Sequence, residues 1–189
     1  NVQRAMDWLA SRQQDNGNLG WTTFYEQGIA AMAICEDVAL TPYDNRYRNV
    51  AAKAVGHILT QMGRNGGFGY RGPGQDTSVT GWQIMAIKSA YIAKIYPQFP
   101  RAKSILNYLN ISYNPNGSTG YQGKSKPNNT MTAVGMFCRI FLNYKKTHPE
   151  IKKAASLIIK SGPNVRNEYY TYYATYCMFQ LGGKVWKDW

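Results

Sequence analysis

The chain has 189 residues, the usual size of a single domain, which argues against separate cofactor and substrate domains. Apolar residues make up 44% and charged residues 17%, a balance that excludes a disordered chain, and no apolar run approaches the roughly 20 residues that cross a bilayer. Lysines and arginines outnumber acids by 22 to 10, a formal charge of +12, but the excess is scattered in short pairs such as Lys145-Lys146 and Lys152-Lys153, so a solvated basic surface is expected and a nucleic-acid partner is not.

The first expected element is short, with Ala5, Met6, Trp8 and Leu9 at helical spacing and no evident cap before them. Residues 29–39 form an apolar run with small residues interspersed. Then Tyr47, Val50, Ala51, Ala54, Val55, Ile58, Leu59 and Met62 keep the i, i+3, i+4 spacing of an amphipathic helix, whose other face, with Arg46, Asn49, Lys53 and His57, is expected in water. Residues 80–95 differ in kind. They are apolar nearly all round and carry Gly81, Ala86, Ala90 and Ala93, which marks an inner helix that approaches its neighbours closely. Residues 132–142 and 171–181 repeat that inner character, while 105–109 and 151–159 repeat the outer one. Cys35, Cys138 and Cys177 each fall inside an apolar helical run and read as small buried hydrophobes.

A repeat organises these helices. Asn16-Gly17-Asn18-Leu19-Gly20-Trp21, Asn65-Gly66-Gly67-Phe68-Gly69-Tyr70 and Asn116-Gly117-Ser118-Thr119-Gly120-Tyr121 are copies of one turn, and a fourth copy over 164–170 has lost its glycines. The aromatics Trp21, Tyr70, Tyr121 and Tyr170 lie 49, 51 and 49 residues apart, the period of one supersecondary unit used four times. Each unit reads as an outer and an inner helix. The fold expected is therefore all-α, a partial α/α toroid of about four hairpins forming one domain over residues 1–189. Four hairpins leave inner-face edges uncovered, so a fragment of a longer repeat protein is expected, with further repeats or another chain completing the ring.

In these turns and in several further segments the sequence resembles the terpenoid-cyclase and protein-prenyltransferase superfamily of α/α toroids. It is most similar to a bacterial group, of unassigned activity, that carries prenyltransferase and squalene-oxidase repeats. The matching pieces are Tyr25-Glu26-Gln27-Gly28, Asp76-Thr77-Ser78-Val79-Thr80-Gly81-Trp82-Gln83, Thr132-Ala133-Val134-Gly135, Tyr172-Tyr173-Ala174-Thr175 and Gly182-Gly183 followed by Trp186 and Trp189.

The resemblance implies three chemistries, and the residues present depart from each. Prenyltransferases hold zinc through an Asp-x-Cys pair ahead of Trp-Gln and a His after a Tyr. Here Asp76 is kept, but Ser78 and Tyr170 stand where Cys and His would be, and neither a hydroxyl nor a phenol replaces those ligands. No metal or other cofactor is therefore expected. Class II cyclases protonate an olefin with an Asp-x-Asp-Asp acid, and the chain has no such cluster. Thioester-forming toroids use Cys-x-Glu-Gln, and here Phe24 takes the place of the Cys.

Asp76 and Glu26 remain as candidate acid and base, since Glu26, Asp76 and Glu168 all precede inner helices and would meet at one rim of a ring; the alternative is that each caps its helix. Trp21, Tyr25, Trp82, Gln83, Tyr121, Tyr169, Tyr170 and Tyr173 are candidates to line the lumen. Such aromatics stack on an apolar, isoprenoid or glycan ligand, or else pack the core. The reading is a metal-free binding or interaction module, with an isoprenoid- or glycan-processing enzyme as the alternative.

Overall fold

The computed structural model describes residues 1–20 and 23–189, and its helices alternate in kind along the chain. In order these are α1 (Val2–Ser11), α2 (Phe24–Leu40), α3 (Arg48–Thr60), a ribbon of β1 (Phe68–Gly69) and β2 (Gly72–Pro73), α4 (Thr77–Ile92), α5 (Ala102–Ser112), α6 (Asn129–Phe141), α7 (Pro149–Ser161), α8 (Glu168–Leu181) and α9 (Gly183–Asp188). Among the described residues the structure is all-α apart from that ribbon, in which Phe68 pairs with Pro73 and Gly69 with Gly72.

Helices α2, α4, α6 and α8 form one layer, each packed on the next, while α1, α3, α5 and α7 lie against its other side. Small residues set the close approach within the layer. A Cβ on Gly81 of α4 would sit 2.6 Å from Val134 Cγ1 of α6, and one on Gly28 of α2 would sit 2.5 Å from Gln83 Nε2 of α4. The outer helices bury one face only, as their periodicity predicts: Ala51, Ala54, Val55 and Ile58 of α3 are fully buried, whereas Asn49 and Lys53 are exposed. His57 departs from that expectation. It is half-buried, because Phe24 at the start of α2 lies over it at a ring distance of 5.9 Å, and that burial pushes its imidazole below the ordinary value, with a backbone hydrogen bond to Asn16 opposing.

The inner helices begin three or more residues ahead of their apolar runs, and in three of them the starting signal is a polar cap. Asp76 accepts from the amides of Ser78 and Val79, Asn128 from Met131, and Asn167 from Tyr170. Helix α4 stops at Ile92 rather than residue 95, since Lys94 turns into a left-handed backbone with φ 55°.

The Asn-Gly turns join successive hairpins. Asn16, Asn65 and Asn116 each accept a hydrogen bond at Oδ1 from the amide two residues on, at 2.9, 2.9 and 3.0 Å. The glycine that follows has φ of +87°, +90° or +98° and lies against the backbone of the next outer helix. A Cβ there would come within 2.0 Å of Lys53 O, 1.7 Å of Ser104 O and 2.8 Å of Lys153 C respectively. Two residues further on, the amides of Leu19, Phe68 and Thr119 are each taken by a side chain of the following inner helix: Gln27, Thr80 and Thr132. The fourth copy keeps the turn through Asn164 and Arg166 at 3.1 Å. It is shorter, however, so Tyr170 falls in the first turn of α8 rather than in a loop like Tyr70 and Tyr121.

Arg139, an almost fully buried cation of α6, is held on every side. It pairs with Glu150 at 3.2 Å, donates to Leu109 O and Asn110 Oδ1, and lies over the rings of Tyr113 and Tyr144. The three thiols are free and buried; desolvation pushes Cys35 and Cys138 up to about 12.

Candidate functional site

Aromatic side chains of α2, α4, α6 and α8 meet in one continuous seam. Tyr25 stacks on Tyr70 at 6.0 Å and leans on Trp82 at 6.2 Å. Trp82 in turn stacks on Tyr172 of α8 at 6.0 Å and meets the edge of Tyr173 at the same distance. Helices α4 and α8 thus meet through these rings although α6 lies between them in the layer. Tyr173 is fully buried at the centre, within 5.7 Å of Phe137 and 5.1 Å of Tyr169 and Tyr172. Contacts of this kind contribute about 0.5–1.5 kcal/mol each beyond area burial.

The candidate lining residues divide by exposure. Tyr25, Trp82, Tyr121 and Tyr169 are half-buried and keep an accessible edge. Gln83 and Tyr173 do not line an open space, whereas Tyr170, although almost fully buried, borders a cleft between the starts of α6 and α8. Gln83 is fully buried between α2 and α4, where its amide donates to Phe24 O at 2.7 Å. Tyr170 turns its phenol to Ile158 O and Gly162 O at the end of α7. Trp21 lies outside the described residues. The partly exposed rings of Tyr70 and Tyr172 belong to the seam and were not among the candidates, although Tyr70 is the repeat aromatic and Tyr172 sits one residue from Tyr173.

Burial sets the state of the phenols. It is the first cause that raises Tyr169 and Tyr173, and it pushes Tyr172 up to about 12. Tyr121 is raised first by its hydrogen bond with Tyr70, whose oxygen lies 3.4 Å away, then by burial and by the adjacent Asp76. At neutral pH Tyr121, Tyr169, Tyr172 and Tyr173 therefore offer neutral donors and π faces rather than a phenolate base. Trp82 Nε1 makes no well-aligned hydrogen bond, and Glu26 Oε2 is buried without a partner among the described residues.

Asp76 behaves as a cap. Its Oδ1 accepts from Ser78 N at 2.9 Å, Val79 N at 3.0 Å and Ser78 Oγ at 2.5 Å. Neither the zinc pattern nor the thioester pattern is assembled. Ser78 donates into Asp76 and Tyr170 points to α7, so this donor set does not fit the metal. Gln27, in the thioester position, is fully engaged: Oε1 accepts from Leu19 N, and Nε2 donates to Gly17 O and Ala54 O. Glu26 and Glu168, expected ahead of their helices, instead stand within the first turns of α2 and α8, where Thr23 and Asn167 hold the N-cap positions; Glu168 is exposed and borders a groove along α8 and α9. No hydrogen bond joins Glu26, Asp76 and Glu168 to one another. His148 caps α7 through Glu150 N.

Beside Tyr121 and Tyr169 a cleft of about 510 Å³ opens between the starts of α6 and α8. Comparison with family models, curated proteins and solved structures yields no match.

Proposed function

We propose that the chain is a segment of a metal-free α/α toroid that works as a binding or interaction module, with the aromatic seam turned towards the lumen. One observation carries this reading: Tyr25, Trp82, Tyr121 and Tyr169, from three inner helices and one turn, are only half-buried, next to an indole N–H that makes no well-aligned hydrogen bond among the described residues. The repeat resemblance to terpenoid cyclases and prenyltransferases agrees with that arrangement, and the ligand classes it suits are apolar isoprenoids and glycans. Further repeats or another chain would complete the ring, a role supported by the apolar groove along α8 and α9.

A second reading, an isoprenoid- or glycan-processing enzyme, is favoured by Glu26 alone, because a buried carboxylate oxygen without a partner is the kind of group that acid–base chemistry uses. Asp76, committed to its cap, would not share that work.

The test is a titration of the isotopically labelled protein with a twenty-carbon prenyl alcohol and, separately, with neutral oligosaccharides. The Trp82 indole N–H resonance, assigned through Trp82→Phe, is followed throughout. A saturable shift with either class supports the module, and silence of the seam with both overturns it. Under the enzyme reading Glu26→Gln abolishes turnover of the bound ligand; under the binding reading it leaves affinity within a few-fold.

A further inference from the structure

The cleft beside Tyr121 and Tyr169 differs from the other depressions of the molecule in having neither a charged nor a strongly apolar lining. Its walls are amides and hydroxyls: Asn128, Asn129 and Thr130 at the start of α6, Ser161 at the end of α7, and Asn164 and Asn167 ahead of α8. The rings of Tyr121, Tyr169 and Tyr170 and the side chain of Met131 complete it. No lysine, arginine or carboxylate borders it, in a chain whose formal charge is +12.

Several of these polar groups are already oriented. Asn129 Nδ2 donates to Ser161 Oγ at 2.5 Å, which ties α6 to the end of α7. Asn167 Nδ2 donates to Thr130 Oγ1 at 3.3 Å while its Oδ1 caps α8. Asn128 Oδ1 is likewise held by Met131 N. What remains for a ligand is the Oδ1 of Asn129 and the Nδ2 of Asn164, an acceptor and a donor without a partner among the described residues, together with the free lone pairs and protons of the hydroxyls.

From this lining we infer that the cleft is a binding site for a neutral glycan segment, an inference that rests on the binding-module reading and names its ligand class. Each sugar hydroxyl both donates and accepts, as amides and hydroxyls do, so an uncharged cleft of this kind can match a run of hydroxyls without bringing in an ion. The half-buried rings of Tyr121 and Tyr169 supply the flat apolar surface on which the C–H face of a pyranose stacks. A prenyl chain suits the place badly, since it would take water from Asn129 Oδ1 and Asn164 Nδ2 and give neither a hydrogen bond in return. The volume, about 510 Å³, lies inside the range of small-molecule sites. Tyr121 also touches Tyr70, so the cleft runs directly into the aromatic seam.

The experiment is calorimetric titration of the whole chain with neutral hexaoses of glucose, mannose and xylose, and with a galacturonate oligomer as the charged counterpart. It is repeated on Asn129→Ala and Asn164→Ala, both at exposed positions. At least one neutral hexaose is expected to bind, and each substitution to weaken it about three- to tenfold, the loss that removal of one neutral hydrogen bond brings. Tighter binding of galacturonate than of any neutral sugar overturns the inference, as does affinity unchanged in both variants. Binding of the prenyl alcohol but of no sugar also overturns it, while leaving the binding-module reading in place. If neither class binds, both fall together.

Discussion

Asp76 shows how one side chain can carry two readings that only its contacts separate. Its Oδ1 receives two amides and a hydroxyl, so it holds the start of α4. Asp76→Ala is expected to lower stability by about 1–2 kcal/mol and Asp76→Asn by much less, measured by urea unfolding. His57 gives a second test at this scale. Its folded-state value lies below the ordinary 6.5 because burial beside Phe24 disfavours the imidazolium. The unfolded chain therefore takes up the proton first as pH falls. The stabilisation is complete above about 6.5 and is lost as pH drops through the folded value, and His57→Gln is expected to flatten the melting temperature across that window.

At the scale of elements, the alternation of inner and outer helices was legible because it is written in composition. Small residues fill the inner helices, and a single apolar stripe marks α3. The helix starts were less legible, since the caps precede the apolar runs by several positions. Which face of an inner helix looks towards the aromatic side was not legible at all. A helix that is apolar all round carries no stripe to orient it, which is why Gln83 and Tyr173 read as lining residues yet lie buried. Asn128, Asn129 and Thr130 could have been noticed as a polar run before an inner helix, but their meeting with Ser161 and Asn167 depends on the packing of α6 against α7 and α8.

Two glycines separate conformational from packing effects at the same scale. Gly66 has φ +90° and its missing Cβ would lie 1.7 Å from Ser104 O, so Gly66→Ala is expected to cost more than the roughly 1–2 kcal/mol of a left-handed backbone alone. Gly56, inside α3 with nothing within 4 Å of the added atom, is expected to gain about 0.5–1 kcal/mol on the same change. Denaturant midpoints of the two variants should move in opposite directions.

Across the whole molecule, apolar side chains are exposed at both ends of the array as well as along its middle, at Leu40, Tyr43 and Ile92. Helix α1 buries no residue fully and exposes Val2 and Trp8. At the other end Val165, Tyr176, Phe179 and Trp186 border a groove of about 620 Å³. A contiguous exposed apolar lining of this kind binds apolar dyes. The native protein is expected to enhance anilinonaphthalene sulfonate fluorescence well below its unfolding transition, and Phe179→Gln to reduce the enhancement by about half without moving the thermal midpoint by more than a few degrees.

The Asn-Gly turns have one further consequence. Each places a bare α-carbon against the backbone of the outer helix one hairpin later, so the meeting surfaces are mainly main chain, with only the Cβ atoms of His57 and Lys153 beside it. Exchange of residues elsewhere leaves that joint unchanged, because main chain meets main chain whatever the neighbours are. A change of length does not: one residue gained or lost between turn and helix rotates the helix by about 100° and takes the carbonyl away from its glycine. Such a chain can therefore drift far in sequence while keeping its period, and it can grow or shrink by whole hairpins but not by fractions of one.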